Sequence, residues 1–209
     1  TITGGGVLTG SGVNGGGVIT WNVATPMAPG ASVSYTYASK LAPSSTLTSA
    51  GLLNTVKVNG YDSLSSGGRH YTGTTATRTV TPQFPVLTTV KSTPSGTTAY
   101  VGSPLDFTVA VSVAQATATT VNVTDTLPAN WNYVPASAQV TYSDGTSAQV
   151  DPTISTSGAV TTLTWPDLGS AAPGETVSVF YQATPTVAAL TNPGAGSSIA
   201  HVNSAKAFS

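Results

Sequence analysis

Apolar and polar residues alternate along much of the chain. Phe107, Val109, Val111 and Val113 occupy every second position, with Thr108, Ala110 and Ser112 between them. This pattern turns one face of a strand toward a core and leaves the other in water. Val121, Val123 and Asp125 continue the alternation, and Leu127-Pro128 ends that run. Trp131, Tyr133 and Val134 open another strand, and Ser143-Asp144-Gly145-Thr146 is a hairpin signal. Nearer the start, Val33, Tyr35 and Tyr37 share a face. So do Leu52, Asn54, Val56 and Val58, which predicts that Asn54 points inward. Strands are also predicted over residues 18–23, 32–38, 70–81 and 86–92, with a Gly-rich loose loop or hairpin remnant over 1–17 and a polar loop over 60–68. No segment carries the helical period of about 3.6 residues. The pattern predicts an all-β, Ig-like sandwich.

The pattern also repeats. Residues 162–181 (TLTWPDLGSAAPGETVSVFY) match residues 18–37 (VITWNVATPMAPGASVSYTY) at a shift of 144, with eight of twenty positions identical. Among the identities are Trp21/Trp165, Pro29/Pro173, Gly30/Gly174 and Tyr37/Tyr181. Each copy leads on to a strand with a central Asn, Asn54 in GLLNTVKV and Asn203 in IAHVNSAKA. Such a repeat means one domain type used twice. Ahead of Trp165 strand-like sequence reaches back to about Phe84, whereas only twenty residues precede Trp21 and none is an initiating Met. The sequence therefore predicts two tandem repeats. Residues 1–83 would be the C-terminal half of one, and residues 84–209 a complete copy joined by the Pro-stiffened TPQFP segment. Its exposed apolar face predicts that strands from elsewhere cover the first copy.

Composition narrows the function. A net charge of −1, with 6% charged residues, gives no electrostatic footprint for nucleic acid. No apolar run approaches the roughly 20 residues of a membrane-spanning helix. With no Cys, neither disulfides nor thiolate metal sites are available.

Five segments in order carry a resemblance: LTTVKST with Lys91, YVGSPLDFTVAVSV, VNVTDTLPANWNYV, TWPDLGSAAPGETVSV and HVNSAKA. Together they resemble the tandem Ig-like repeats of bacterial and archaeal surface proteins known as domain-of-unknown-function family eleven, related to fimbrial isopeptide-forming domains. Two departures stand out. Ala114-Gln115-Ala116 replaces the family's Asn-Thr-Gly, and Ser204 stands where Thr is commoner.

The resemblance implies roles for three residues. Lys91 on the first strand would join Asn203 on the last, with Asp125 as the buried acid. Burial disfavours charge, so it would leave Lys91 a neutral nucleophile and Asp125 a proton donor. Attack on the Asn203 side-chain carbonyl would release ammonia and leave an isopeptide cross-link. Asn54, which matches Asn203, would be a second cross-linking position for a lysine from elsewhere. The same residues also have an ordinary reading: Lys91 solvated, Asp125 capping the Leu-Pro turn, and Asn203 bonding to backbone. Val90, apolar and adjacent to Lys91, leaves the phase of that strand open.

Other candidates are weaker. Asp144, Asp151 and Asp167 could gather around Ca²⁺, but that ion takes about six to eight oxygens and no DxDxD loop is present. His70 and His201 lie in different repeats without a second ligand at metal spacing. No nucleophile elbow or phosphate-binding Gly loop appears, so no cofactor is implied. Trp21 and Trp165, at one repeat position, read as core.

These features predict a structural segment of an extracellular stalk, fimbria or filament, secreted or on the cell surface. Its partners would be neighbouring repeats of its own chain or copies of itself, with no nucleic acid and no membrane insertion. It would not be an enzyme beyond single-turnover self-cross-linking. The alternative is an adhesive or ligand-binding module, because the end loops of Ig sandwiches often carry binding.

Overall fold

A computed structural model describes residues 1–10, 17–23, 26–41, 48, 50–64, 66–190 and 199–209. The chain divides into two compact units, Thr1–Pro82 and Gln83–Ser209.

Unit one is built from antiparallel strand pairs. β1 (Val7–Gly10) pairs β2 (Gly17–Thr20), with Val7 opposite Thr20. Of the two readings of the Gly-rich start, the structure has the hairpin arm. Downstream, Ala31 N–H bonds to Ala28 O at 3.0 Å, and Gly30 takes a φ of +81° that favours glycine. The alternation after this turn does not form a strand. Residues 32–38 make one antiparallel bridge, Ile2 to Tyr37, beside a Thr3 N–H bond to Thr36 O at 2.9 Å. A strand needs a partner along its length, and here the partner is only residues 1–3.

β3 (Leu52–Lys57) carries Asn54 and pairs with β6 (Thr75–Val80). Between them β4 (Gly60–Asp62) pairs with β5 (His70–Thr72), so the polar stretch after Asn59 is a hairpin. Tyr61 and Tyr71 face each other across it and stack at 5.2 Å. The single strand predicted over 70–81 breaks at Gly73, where a Cβ would lie 1.8 Å from the Val58 carbonyl oxygen. β3 is exposed along its whole length, with Leu52 at 40% and Val56 at 60%. The face that carries Asn54 is thus not a core face.

Unit two is an Ig-like β-sandwich. Its strands are β7 (Val86–Ser92), β8 (Leu105–Ala114), β9 (Asn122–Thr126), β10 (Trp131–Tyr133), β11 (Gln139–Tyr142), β12 (Ser147–Gln149), β13 (Thr153–Ser157), β14 (Val160–Trp165), β15 (Thr176–Pro185) and β16 (Ser204–Phe208). One sheet runs β12-β11-β15-β8-β7, with β10 also on β15; the other runs β13-β14-β9-β16. All their pairings are antiparallel. Alternate residues of β8 and β15 interleave with those of β9 and β14, so Val109, Val111 and Val179 meet Val123, Leu163 and Trp165 in a dry core. Gln115, at the tip after β8, adopts a φ of 68°, a left-handed conformation uncommon for a residue with a side chain.

The repeat is visible as structure. The turn before β15 has Glu175 N–H on Ala172 O at 3.0 Å and Gly174 at a φ of 90°, matching the Ala28–Ala31 turn of unit one. In β13–β14, Thr153 faces Thr164, as Val7 faces Thr20 in β1–β2. Trp21 and Trp165 each donate their indole N–H to a backbone carbonyl at 2.8 Å, Thr3 and Val150 respectively.

Candidate functional site

The site lies between the sheets of unit two. β7 is exposed and half-buried in alternation, and Lys91 falls on its inward face with Leu87 and Thr89. Val90, the apolar neighbour, is 60% exposed. The strand therefore turns its charged residue in and its valine out. Asp125, on β9 between Leu163 and Ala205 of the flanking strands, is fully buried. Tyr181, on β15, is fully buried opposite Phe107 of β8. Asn203 immediately precedes β16 and is half-buried, its neighbour Val202 pointing out at 84% exposure.

These four side chains share one hydrogen-bond cluster. Lys91 Nζ donates to Asp125 Oδ2 in a close ion-pair contact. It also donates to the Tyr181 hydroxyl at 2.8 Å. That hydroxyl donates to Asp125 Oδ2 at 2.8 Å and accepts from Asn203 Nδ2 at 3.0 Å. A phenol has one hydrogen to give and two lone pairs to fill, so Tyr181 is saturated. Lys91, Asp125 and Asn203, predicted as a set, are brought together, with Asn203 reaching the others through the tyrosine.

Aromatic rings wall the cluster. Lys91 Nζ lies 5.1 Å from the ring centres of both Phe107 and Tyr181, which stack at 5.4 Å, and Trp165 packs on Tyr181 at 5.7 Å. Rings favour a cation over their faces, but they also remove water. Burial prevails: it lowers the Lys91 pKa although the Asp125 charge pulls the other way. Burial likewise raises the Asp125 carboxyl, against the opposing influence of Lys91. It raises the Tyr181 phenol too, assisted by the Asp125 charge, so that group stays protonated. Both members of the pair are thus pushed toward a neutral amine and a neutral acid.

Two oxygens are left over. Asp125 Oδ1 and Asn203 Oδ1 are buried and have no hydrogen-bond partner among the described residues. Leaving a buried acceptor unpaired costs about 1–3 kcal/mol. A proton on Asp125 Oδ1 would change that oxygen from an acceptor into a donor, which suits the raised carboxyl pKa.

Tyr181 is the member of the cluster that the sequence reading did not single out. The signal was present, since Tyr37 and Tyr181 end the repeated stretch and each is followed by a repeated Asn. Unit one bears this out, for Asn54 Nδ2 donates to the Tyr37 hydroxyl at 2.6 Å. Trp21 stacks on Tyr35 at 5.5 Å and tilts against Tyr37 at 6.2 Å. Trp, Tyr and Asn therefore recur together, but no lysine or carboxylate bonds to the Tyr37 hydroxyl among the described residues.

The weaker candidates lie apart. Asp144 accepts from the N–H and hydroxyl of Thr146 in its own turn, and Asp167 accepts from Gly169 N–H. Asp151 accepts from the Tyr133 hydroxyl at 2.6 Å and from Ala136 N–H. Each acid closes a local loop, and the described residues contain no group of three metal-ligating side chains. His70 pairs with exposed Asp62 at 2.9 Å, and His201 sits edge-on to Trp131. No helix among the described residues is long and apolar enough to cross a membrane.

No family model matches the chain, and no curated protein matches it. Among solved structures, it is similar to the collagen binding domain of Erysipelothrix rhusiopathiae surface protein RspB, at 17% identity and a TM-score of 0.33. That match covers 78% of this chain and 50% of the other, so the chain spans half the length of that structure.

Proposed function

We propose that the chain is a structural segment of an extracellular surface stalk, fimbria or filament, and that unit two locks itself with an isopeptide bond between Lys91 and Asn203. The observation that carries this reading is the buried Lys91–Asp125–Tyr181–Asn203 cluster. An ion pair between a fully buried Asp125 and a largely buried Lys91 is a poor device for stability alone, because desolvation opposes the Coulombic gain. A pair driven toward neutrality beside a carboxamide has a chemical use.

In the reaction, the free amine of Lys91 attacks Cγ of Asn203. The Nζ–Cγ bond forms, the Cγ–Nδ2 bond breaks, and one Nζ proton leaves with Nδ2 as ammonia. Asp125, as the acid, polarises the carbonyl and is regenerated. The bond ties the first strand of the sandwich to the last, so tension along the chain is carried covalently. Proteolytic nicks between the strands would not release them.

Intact mass under denaturing conditions tests this. The reading predicts a chain one ammonia lighter than its sequence, with Lys91→Met restoring the sequence mass. An unmodified mass in the mature wild-type chain removes the self-locking function.

A further inference from the structure

The cluster contains a group that the cross-linking reaction, as written above, does not use. We propose that Tyr181 is a catalytic residue that carries a proton from the entering nitrogen to the leaving one; this rests on the isopeptide reading of the same site. Transamidation replaces Nδ2 of Asn203 by Nζ of Lys91 on a single carbon. Those two nitrogens both hydrogen-bond the same oxygen, at 3.0 Å and 2.8 Å. A hydroxyl in contact with both is positioned for the one transfer the reaction cannot omit. The nitrogen that attacks has a surplus proton, and the nitrogen that departs lacks one.

The step balances. After attack, Nζ passes a proton to the Tyr181 oxygen as the hydroxyl passes its own hydrogen to Nδ2. The Cγ–Nδ2 bond then breaks, ammonia leaves, and tyrosine is unchanged. No outside acid, base or redox partner is required. In the ground state the hydroxyl hydrogen points at Asp125 Oδ2, so the transfer begins with its rotation toward Nδ2. The charged and titratable groups that meet the hydroxyl are Lys91 from β7 and Asp125 from β9. The other neighbours are the rings of Phe107, Trp165 and Tyr133, and Tyr133 gives its own hydroxyl to Asp151.

An independent observation separates this role from simple core filling. A core ring does not need its hydroxyl, yet unit one keeps the same carboxamide-to-phenol bond, from Asn54 Nδ2 to the Tyr37 hydroxyl. There Tyr37 is 41% exposed, so core packing does not explain it. The hydroxyl also accepts from the amide nitrogen, which orients the carboxamide with its leaving group against the phenol.

The test uses the full-length chain made by cell-free synthesis, with ammonia loss followed by denaturing mass spectrometry during a chase. Tyr181→Phe keeps the ring stack and removes only the hydroxyl. The expected result is a folded chain that loses ammonia at least about 10²-fold more slowly than wild type, the usual scale for a positioned acid–base group. In parallel, a series of fluorinated tyrosines placed at position 181 varies phenol acidity while keeping the fold. The rate should track that acidity, which a packing role would not produce. If Tyr181→Phe fails to fold, the fluorinated series decides alone. Ammonia loss in wild type with a flat series, or at an unchanged rate in a folded Tyr181→Phe chain, overturns the shuttle and leaves the cross-link standing. A wild-type chain that never loses ammonia overturns both.

Discussion

Lys91 Nζ and the Tyr181 hydroxyl lie 2.8 Å apart, and both bond to the same carboxylate oxygen of Asp125. The acid is therefore the hinge of the cluster, and its removal should separate folding from bonding. Asp125→Ala is expected to fold, because Lys91 already has a lowered pKa and can remain neutral beside Tyr181. It should retain its full sequence mass. The lost cross-link would have closed a loop on the order of 110 residues, worth about 4–5 kcal/mol through the unfolded chain. Denaturant unfolding of unit two should show a loss of that size. Ammonia loss in folded Asp125→Ala would show that the acid is dispensable.

The centre of unit two was legible because β8 and β15 are long, alternate between buried and part-buried positions, and are paired on both sides. β8 and β15 show the alternation without interruption. Lys91 was ambiguous for a physical reason: on an edge strand the outward side can hold a valine, so hydropathy alone left the phase of the strand open. Tyr181 was overlooked because an aromatic in an alternating strand reads as core, which it also is. In unit one the alternation of residues 32–38 predicts a strand that lacks its neighbours. In unit two the matching residues lie in β15, flanked by β8 and β11. Sequence pattern records which face a strand wants to bury, but not whether a partner is at hand.

The rate of bond formation should be bell-shaped in pH. It needs Lys91 as a free amine and Asp125 as an acid. At their ordinary values of 10.5 and 3.8 the acid would ionise long before the lysine lost its proton, and the two forms would scarcely coexist. Burial lowers the lysine and raises the acid, which brings the two forms into one window. Below that window the amine is protonated; above it the acid is ionised. Ammonia loss from newly synthesised chain across pH would measure both limbs. A rate that climbs steadily into alkali would mean that only the amine matters.

The two repeated tryptophans should differ in energetic weight. Trp165 is fully buried and bonded to Val150 O, so Trp165→Ala should destabilise unit two by about 3–5 kcal/mol. Trp21 makes the matching bond to Thr3 O but is only half-buried, and its substitution should cost unit one less. Separate denaturation of single mutants, followed by local probes in each unit, compares them. Equal losses would mean that Trp21 is covered in solution.

That possibility leads to the apolar face of unit one. Val33, Tyr37, Leu52, Val56 and Val58 are 40–60% exposed, around a Tyr37–Asn54 pair that in unit two is completed by lysine and acid. Exposed apolar faces and open strand edges recruit partners. We propose that strands of a neighbouring repeat cover this face and bring a lysine to Asn54. If the neighbour lies on another copy, native assemblies boiled in detergent should run as a ladder of covalent multimers, and Asn54→Ala should collapse the ladder to one band. If it lies on the same polypeptide, a single band of a longer chain should lose one more ammonia than unit two accounts for, and Asn54→Ala should restore it. In either case Tyr37 should become inaccessible to iodination in the native protein, while exposed Tyr100 stays reactive. A folded protein in which Tyr37 and Tyr100 iodinate equally, with no mass change at Asn54, would show that the face is left bare and that the Tyr37–Asn54 pair has no covalent role.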